Sequence, residues 1–349
     1  MRLSALPEMV NVVLAGMAGV EHVGAHLQDA ASRLGIPLTF LNTEEAYEGN
    51  FVKRKFDWHF RGHLPTRLGW FSDRAITACQ EGAAYLITTG LAPVERRALR
   101  EIRKIGVTSA NFLTDDPWSK SHRAPWFLKA LPEYDIVFTP RRANIADLQA
   151  AGCRSVEYLP FAYAEDLHVP ATRPATACDV FFAGGADSDR LPWIAALIRA
   201  GMDVGLYGGY WTGYGETRRC ARGFVSPRQL NGLVAGARLC LCLVRKANRD
   251  GHAMRSFELA AMKACMLVER TAEHLCLFGT EGESVVYFTT TAEMLEKAHW
   301  LLSDPTERKR LAESAYRRIT GGGQTYTDRL QHMLSKLNLK VLPRKLDTV

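Results

Sequence analysis

Between residues 249 and 258 the chain reads RDGHAMRSFE, and Arg249, Asp250, His252, Arg255 and Glu258 crowd into those ten positions immediately before an apolar run. Asp250 and Glu258 stand eight residues apart, and two carboxylates at that spacing can accept hydrogen bonds from vicinal hydroxyls. A helix is expected to begin near Ser256, a residue type suited to the N-cap. Free N–H groups at that terminus, with Arg255 and His252 beside them, form an anion site suited to phosphate. An acid that holds a ribose next to a helix terminus that holds phosphate describes a nucleotide site. The plainer reading is a solvated loop before an ordinary helix, with Glu258 complementing the helix dipole and Arg255 pairing with it at the surface. Five such groups at the mouth of a buried element favour the nucleotide site.

The elements that must position these groups follow from hydrophobic patterning. RLCLCLV (238–244) is an apolar strand, so Arg245 and Lys246 leave its carboxyl end, where they suit a diphosphate. The same alternation of short apolar runs with helical stretches covers the chain. NVVLAG (11–16), PLTFLN (37–42), AYLITTG (84–90), VTSANFLTDD (107–116), YDIVFTP (134–140) and SVEYLPF (155–161) form one set. DVFFAGG (179–185), DVGLYGG (203–209), RLCLCLV, CMLVER (265–270) and SVVYFT (284–289) form a second. Strands of this length separated by helices are the mark of parallel βαβ units.

The expected organisation is therefore α/β, with two Rossmann-type domains whose parallel sheets face each other across an interdomain cleft. Residues 1–165 form an N-terminal domain and residues 179–324 a C-terminal one. The Ala-, Pro- and Thr-rich stretch leading to 166–178 is read as the linker. TYTDRLQHMLSKL (325–337) puts Tyr326, Leu330, Met333, Leu334 and Leu337 on one helical face, so residues 325–349 are expected to pack back on the N-terminal domain.

Composition bounds the rest. The chain has 349 residues, which at roughly 150 residues per domain suggests two domains. Nothing approaches the roughly 20 apolar residues that span a bilayer, and Met9–Val20 reads as a buried strand and loop rather than a leader. The eight cysteines form no CxxC pair and are expected to be buried reduced thiols of a cytoplasmic protein. The net charge of +7 lies wholly beyond residue 168, mostly in the tail. Arg329, Lys336, Lys340, Arg344 and Lys345 on the outer face of the last helix are candidates for peripheral contact with an anionic membrane.

Function in such folds sits beyond the carboxyl ends of strands. That rule selects further candidates. TDDPW (114–118) offers Asp115 as an acid to receive an acceptor proton, although Asp116 before proline also reads as a turn-former. GMAGVEHVG (16–24) lacks dinucleotide spacing but places His22 at a helix start, a second candidate base. LYGGYW (206–211) offers Gly208 and Gly209 for close backbone approach, with Tyr207 as a base or sugar platform. Glu269 ends its strand at the same edge.

GHAMRSFELAAMKACMLVERTAEHLCLF (251–278) resembles the signature of the CgeB-like, spore-maturation type glycosyltransferases, approximately GHxMRxFE followed by LxERTxEH. NFLTDDPW, YDIVFTPRRANIADLQAAG, VEYLPFAY and TYTDRL fall where that family has comparable motifs. These enzymes are similar to the group-1 glycosyltransferases of GT-B fold, whose donor site carries two acids eight apart. The resemblance implies that Glu258 holds the ribose hydroxyls and Asp250 faces the transferred sugar, with Arg255 and His252 neutralising the diphosphate. It also implies retention of anomeric configuration. Lys263 stands where these families have a helix-ending Gly, so a different turn is expected there, and Gln324 replaces a His.

The function expected is sugar transfer from a nucleotide diphosphate sugar, the only small molecule required besides the acceptor. No cofactor is expected, and no metal, because no metal-binding acid motif is evident. The acceptor is an unspecified glycan, lipid-linked molecule or protein. The alternatives are a nucleotide-sugar epimerase of the same fold, or a non-enzymatic protein binding a membrane surface or nucleic acid through its basic tail. The absence of an aromatic-interleaved basic stripe argues against nucleic acid.

Overall fold

The computed structural model describes residues 10–120 and 122–346, with side chains through Asn338. The chain divides into two compact units: residues 1–160 with 326–349, and residues 161–325.

The first unit runs β1 (Val12–Gly16), α1 (Val23–Arg33), β2 (Leu38–Asn42), α2 (Phe51–Phe60), α3 (Leu68–Gln80), β3 (Tyr85–Thr89), α4 (Arg96–Lys104), β4 (Thr108–Phe112), α5 (Pro125–Ala130), β5 (Ile136–Thr139), α6 (Ile145–Ala150) and β6 (Val156–Tyr158). All pairings are parallel, in the order β2-β1-β3-β4-β5-β6. β1 and β4 are buried at every position, as expected of parallel strands covered on both faces. Gly16 and Gly24 let the start of α1 approach β1 closely, since a Cβ on Gly24 would lie 2.7 Å from the Met17 carbonyl.

The second unit runs β7 (Cys178–Ala183), α7 (Leu191–Arg199), β8 (Val204–Tyr207), α8 (Pro227–Gly236), β9 (Ala237–Cys242), α9 (Met254–Ala261), β10 (Met266–Glu269), α10 (Ala272–Phe278), β11 (Val286–Phe288), α11 (Thr291–Ser303) and α12 (Pro305–Thr320). Its parallel sheet is ordered β11-β10-β9-β7-β8. The order reverses between β7 and β9, so the crevice beyond their carboxyl ends is the unit's topological switch point.

The final helix, α13 (Tyr326–Leu346), belongs to the first unit and packs on α1 and β4. Tyr326, Leu330, Met333, Leu334 and Leu337 are all buried, and Tyr326 stacks on His26 at 4.8 Å. Arg329 is not on an outer face: it is buried, and its Nε donates to the Pro160 carbonyl at 2.8 Å. Lys336 pairs with Glu157 at 3.0 Å, while the side chains of Lys340, Arg344 and Lys345 lie outside the described residues.

The stretch read as a linker is built into the second unit. Tyr163 bridges to Thr325 and donates its N–H to the Gln324 carbonyl at 3.1 Å, while the Ala175 N–H donates to the Gly232 carbonyl at 2.8 Å. The cysteines are all unpaired, but Cys276 is exposed and Cys153 and Cys220 are half-buried. Among the described residues no helix is long and apolar enough to cross a membrane.

Candidate functional site

The loops after β7 and β8 are zipped together beyond the sheet. Gly184 N–H donates to the Tyr207 carbonyl and Ala186 N–H to the Gly209 carbonyl, both at 2.9 Å. Gly208 sits at φ +122°, and a Cβ there would lie 2.2 Å from the Gly184 carbonyl oxygen, so only glycine fits. Trp211 is buried and donates its Nε1–H to the same oxygen at 2.7 Å. Tyr207 is buried too, tilted against Phe181 at 5.5 Å, so its ring packs the core and is no open platform for a base or sugar.

This zipped edge carries a cation that patterning did not single out. Arg190, at the start of α7, is buried, and its Nη1 donates to the Gly185 carbonyl at 3.1 Å. Asp187 lies 3.6 Å from its Nε and also accepts the Arg190 backbone N–H at 2.8 Å. Burial lowers the pKa of the guanidinium, and the positive charge of Arg245 pushes the same way, while Asp187 and Asp250 oppose it. An arginine keeps its charge at neutral pH, so Arg190, in the loop after β7, and Arg245, leaving β9, are two cations at the carboxyl ends of adjacent strands, at the switch point. The readable signal was its place at the first helix after a strand's carboxyl-end loop.

The loop after β9 is a tight single turn over Lys246–Asn248, closed by Arg249 in the left-handed region at φ 54°. Asp250 follows, its N–H donating to the Arg245 carbonyl at 3.2 Å. Helix α9 then starts at Met254, with Ala253 as its N-cap, so Ser256 is the third helical residue and not the cap. Its hydroxyl accepts the Ala253 N–H at 3.1 Å, the bond a cap side chain makes in reverse.

Ser256, His252 and Glu269 are spent on holding this loop. His274 is fully buried, and its Nδ1 faces the Glu269 carbonyl at 2.8 Å. A carbonyl only accepts, so Nδ1 carries the proton and Nε2 accepts the Ser256 hydroxyl at 2.8 Å. Burial holds the His274 pKa down at about 4. His252 Nε2 accepts the Phe161 N–H at 3.2 Å, and Nδ1–H donates to Glu273 at 2.7 Å. Both ring nitrogens therefore have protein partners, which leaves His252 no free donor for a diphosphate. The Glu269 carboxylate accepts the Val244 N–H at 3.1 Å and lies 3.7 Å from Lys246. Thr271 reaches the Gly251 carbonyl. The β10–α10 segment is thus the clamp on which the β9–α9 loop is mounted.

Glu258 is buried, paired with the half-buried Arg255 one turn earlier. This is the partner the plainer reading foresaw, but the carboxylate is inside the protein and not on a solvated face. His168, from the supposed linker, lies 3.8 Å from Glu258 Oε1. Its Nδ1 accepts the Ala164 N–H at 2.9 Å, so the proton on Nε2 points at the carboxylate. Burial lowers the His168 pKa, with Glu258 opposing. Lys263, where a different turn was expected, adopts the left-handed conformation at φ 63° and pairs with Glu313. The turn that ends α9 therefore places a non-glycine residue in the left-handed region, at a strain of roughly 1 kcal/mol.

In the first unit, Asp116 is buried and its carboxylate accepts the Trp118 N–H at 3.0 Å, making the turn. Asp115 remains half-exposed, 3.8 Å from His122 Nε2. Arg141 is buried beneath this loop, donating to the carbonyls of Leu113 at 3.3 Å and Thr114 at 2.7 Å. His22 is the N-cap of α1 without a capping side-chain bond, and its Nε2 lies 3.5 Å from Glu21.

The family described as "Glycosyl transferase-like" matches residues 190–335. Among solved structures the chain is similar to a sucrose-phosphate synthase from Thermosynechococcus elongatus, at 11% identity and TM-score 0.69, covering 96% of this chain and 100% of that one. It is also similar to a glycosyltransferase from Rickettsia africae, at 12% identity and TM-score 0.65, covering 96% and 99%. A third is the MnaA–UDP complex of S. aureus, at 11% identity and TM-score 0.55, covering 95% and 98%. The fold is that of the GT-B glycosyltransferases. No curated protein sequence matches the chain.

The matched span opens at Arg190 and contains Arg245, Asp250, Arg255 and Glu258 together with their clamp. His22 and Asp115 lie outside it, in the other unit.

Proposed function

We propose that the protein transfers a sugar from a nucleoside diphosphate sugar to an acceptor hydroxyl, with the donor bound at the carboxyl edge of the second sheet. The observation that carries this reading is that Arg190, in the loop after β7, and Arg245 and Asp250, in the loop after β9, leave the carboxyl ends of adjacent strands at the switch point, within the span that matches a glycosyltransferase-like family. Two neighbouring cations at a strand-end crevice suit a diphosphate, and preorganised cations stabilise a leaving group whose charge grows as its bond breaks.

In this reading Arg255 exchanges its partner Glu258 for phosphate when the donor arrives, and Glu258 then accepts the ribose hydroxyls. Asp250 faces the sugar. His252 is a positioning residue through its bonds to Phe161 and Glu273. The sugar–phosphate C–O bond breaks with its electrons going to the nucleoside diphosphate. The acceptor oxygen bonds to the anomeric carbon, and the acceptor proton passes to a departing phosphate oxygen on the same face, giving retention. Arg190, Arg245 and Arg255 supply the neutralising charge, so no metal step is invoked. An inverting course would require Asp115 or His22 as base.

Thermal shift with UDP, GDP, dTDP and ADP tests the donor site. One diphosphate should raise the melting temperature well above the others, as a ligand that binds only the folded state does. Equal, salt-sensitive shifts with all four would reduce the site to a nonspecific cation patch.

A further inference from the structure

Helix α2 reads FVKRKFDWHF, and every one of its residues except Asp57 is exposed. It is a well-anchored helix. Asn50 caps it, accepting the Val52 N–H at 3.0 Å and the Lys53 N–H at 3.2 Å. Asp57 is buried and paired with Arg61 at 3.1 Å, and the Trp58 ring lies against Tyr47 and His63. Its open face is therefore not a consequence of fraying.

That face is apolar. Val52, Phe56 and Phe60, spaced i, i+4, i+8, form one stripe and are 73%, 54% and 78% exposed, with the two phenylalanine rings 5.4 Å apart. Isolated apolar residues on a surface are ordinary, but a continuous helical stripe of this exposure marks an interaction site. Cations flank it. Among the described residues Lys53, Arg54 and Lys55 meet no carboxylate, because the one acid of the helix is buried on Arg61. The inner side of the helix adds Arg54, Lys55 and His59 to a cavity of about 320 Å³ walled by Tyr47, Phe51 and Trp58.

We infer that α2 seats the protein on an anionic lipid bilayer. Phenylalanine and valine on one face with lysine and arginine beside them is the composition of an interfacial helix, which buries its apolar side at the acyl boundary while its cations meet anionic headgroups. The charge pattern decides against a second copy, since a twofold contact through this stripe brings Lys53, Arg54 and Lys55 against their own symmetry mates. The inference does not depend on glycosyl transfer and locates membrane contact away from the basic tail.

Co-sedimentation with vesicles tests it, using phosphatidylcholine alone and about equal parts of phosphatidylcholine and phosphatidylglycerol. The full chain should partition onto the anionic vesicles, less so at high salt. The double substitution Phe56→Ser/Phe60→Ser, at exposed positions, should keep the melting temperature and lower partitioning at least about tenfold. Lys53→Glu/Lys55→Glu should abolish the preference for phosphatidylglycerol. A chain ending at Asn338 should still bind. The inference is overturned if the full chain stays in the supernatant, if the phenylalanine variant binds like the parent, if removing the tail alone abolishes binding, or if the phenylalanine variant only changes oligomeric state.

Discussion

The hydroxyl of Ser256 donates to Nε2 of His274 across 2.8 Å, joining the first turn of α9 to the loop after β10. The bond requires a neutral imidazole, because protonation would place a second donor against the hydroxyl. An imidazole in the unfolded chain takes up its proton near pH 6.5, whereas burial holds His274 down to about 4. Between those values the unfolded chain binds more protons. This contribution to stability is therefore complete above pH 6.5 and is lost as the pH falls towards 4, by up to about 3 kcal/mol. Urea midpoints measured across this range should fall more steeply for the parent than for His274→Gln. Parallel curves would clear His274 of the linkage.

Ser256→Ala removes the acceptor of the Ala253 N–H and the donor to His274 together. The buried His274 Nε2 and the half-buried Ala253 N–H are left unmatched, at a cost of about 1–3 kcal/mol. Denaturant titration reads this, and a change below about 0.5 kcal/mol would remove Ser256 from the clamp.

Gly208→Ala should be costly in both backbone and space, since φ is +122° and the new Cβ would meet the Gly184 carbonyl at 2.2 Å. A loss of at least about 2 kcal/mol is expected. Gly213→Ala is the control, having no heavy atom within 4 Å of its added Cβ. Equal melting temperatures for the two variants would mean that the β7 and β8 loops are not zipped.

Residues from Tyr326 onward return to the first unit, so a chain truncated after Thr325 should lose several kcal/mol through exposure of its large buried side chains and of the surfaces they cover. Leu330→Ala alone should cost about 2–4 kcal/mol. An unchanged melting temperature for the truncated chain would contradict the packing on α1 and β4.

All eleven strands were legible in the sequence, most as apolar runs buried on both faces and the half-buried edge strands β2 and β6 through their alternation with helical stretches. The sequence also reads as helical over 291–303 and 305–319, and α11 spans the first while α12 extends the second by one residue. Residues 51–60 and 68–80 were not recognised as helices: α2 turns its apolar stripe outward and buries only Asp57, so its apolar residues mark no buried side. The charged cluster at 249–258 was readable as a cluster, but its division of labour was not. Nothing in sequence spacing says that His252 bonds Phe161, ninety-one residues away, or that His168 of the Pro-rich stretch faces Glu258. Arg190 was hidden for the same reason, since the loop carrying Arg245 and Asp250 is brought to the adjacent strand end only through the β7–β9 pairing.

The donor site is tested most directly by calorimetry with the nucleoside diphosphate that stabilises the parent, on Arg190→Met, Arg255→Met, Glu258→Gln and Asp250→Asn. Arg190→Met and Glu258→Gln should each weaken binding by about 1–3 kcal/mol, the worth of a charge-assisted hydrogen bond. Arg255→Met should weaken it less and slow sugar transfer more, because diphosphate charge grows as the bond breaks. Asp250→Asn should leave diphosphate binding intact while reducing discrimination for the sugar. If all four fold normally and bind the diphosphate like the parent, the charges at the β7/β9 crevice hold the loop alone and the donor does not bind there.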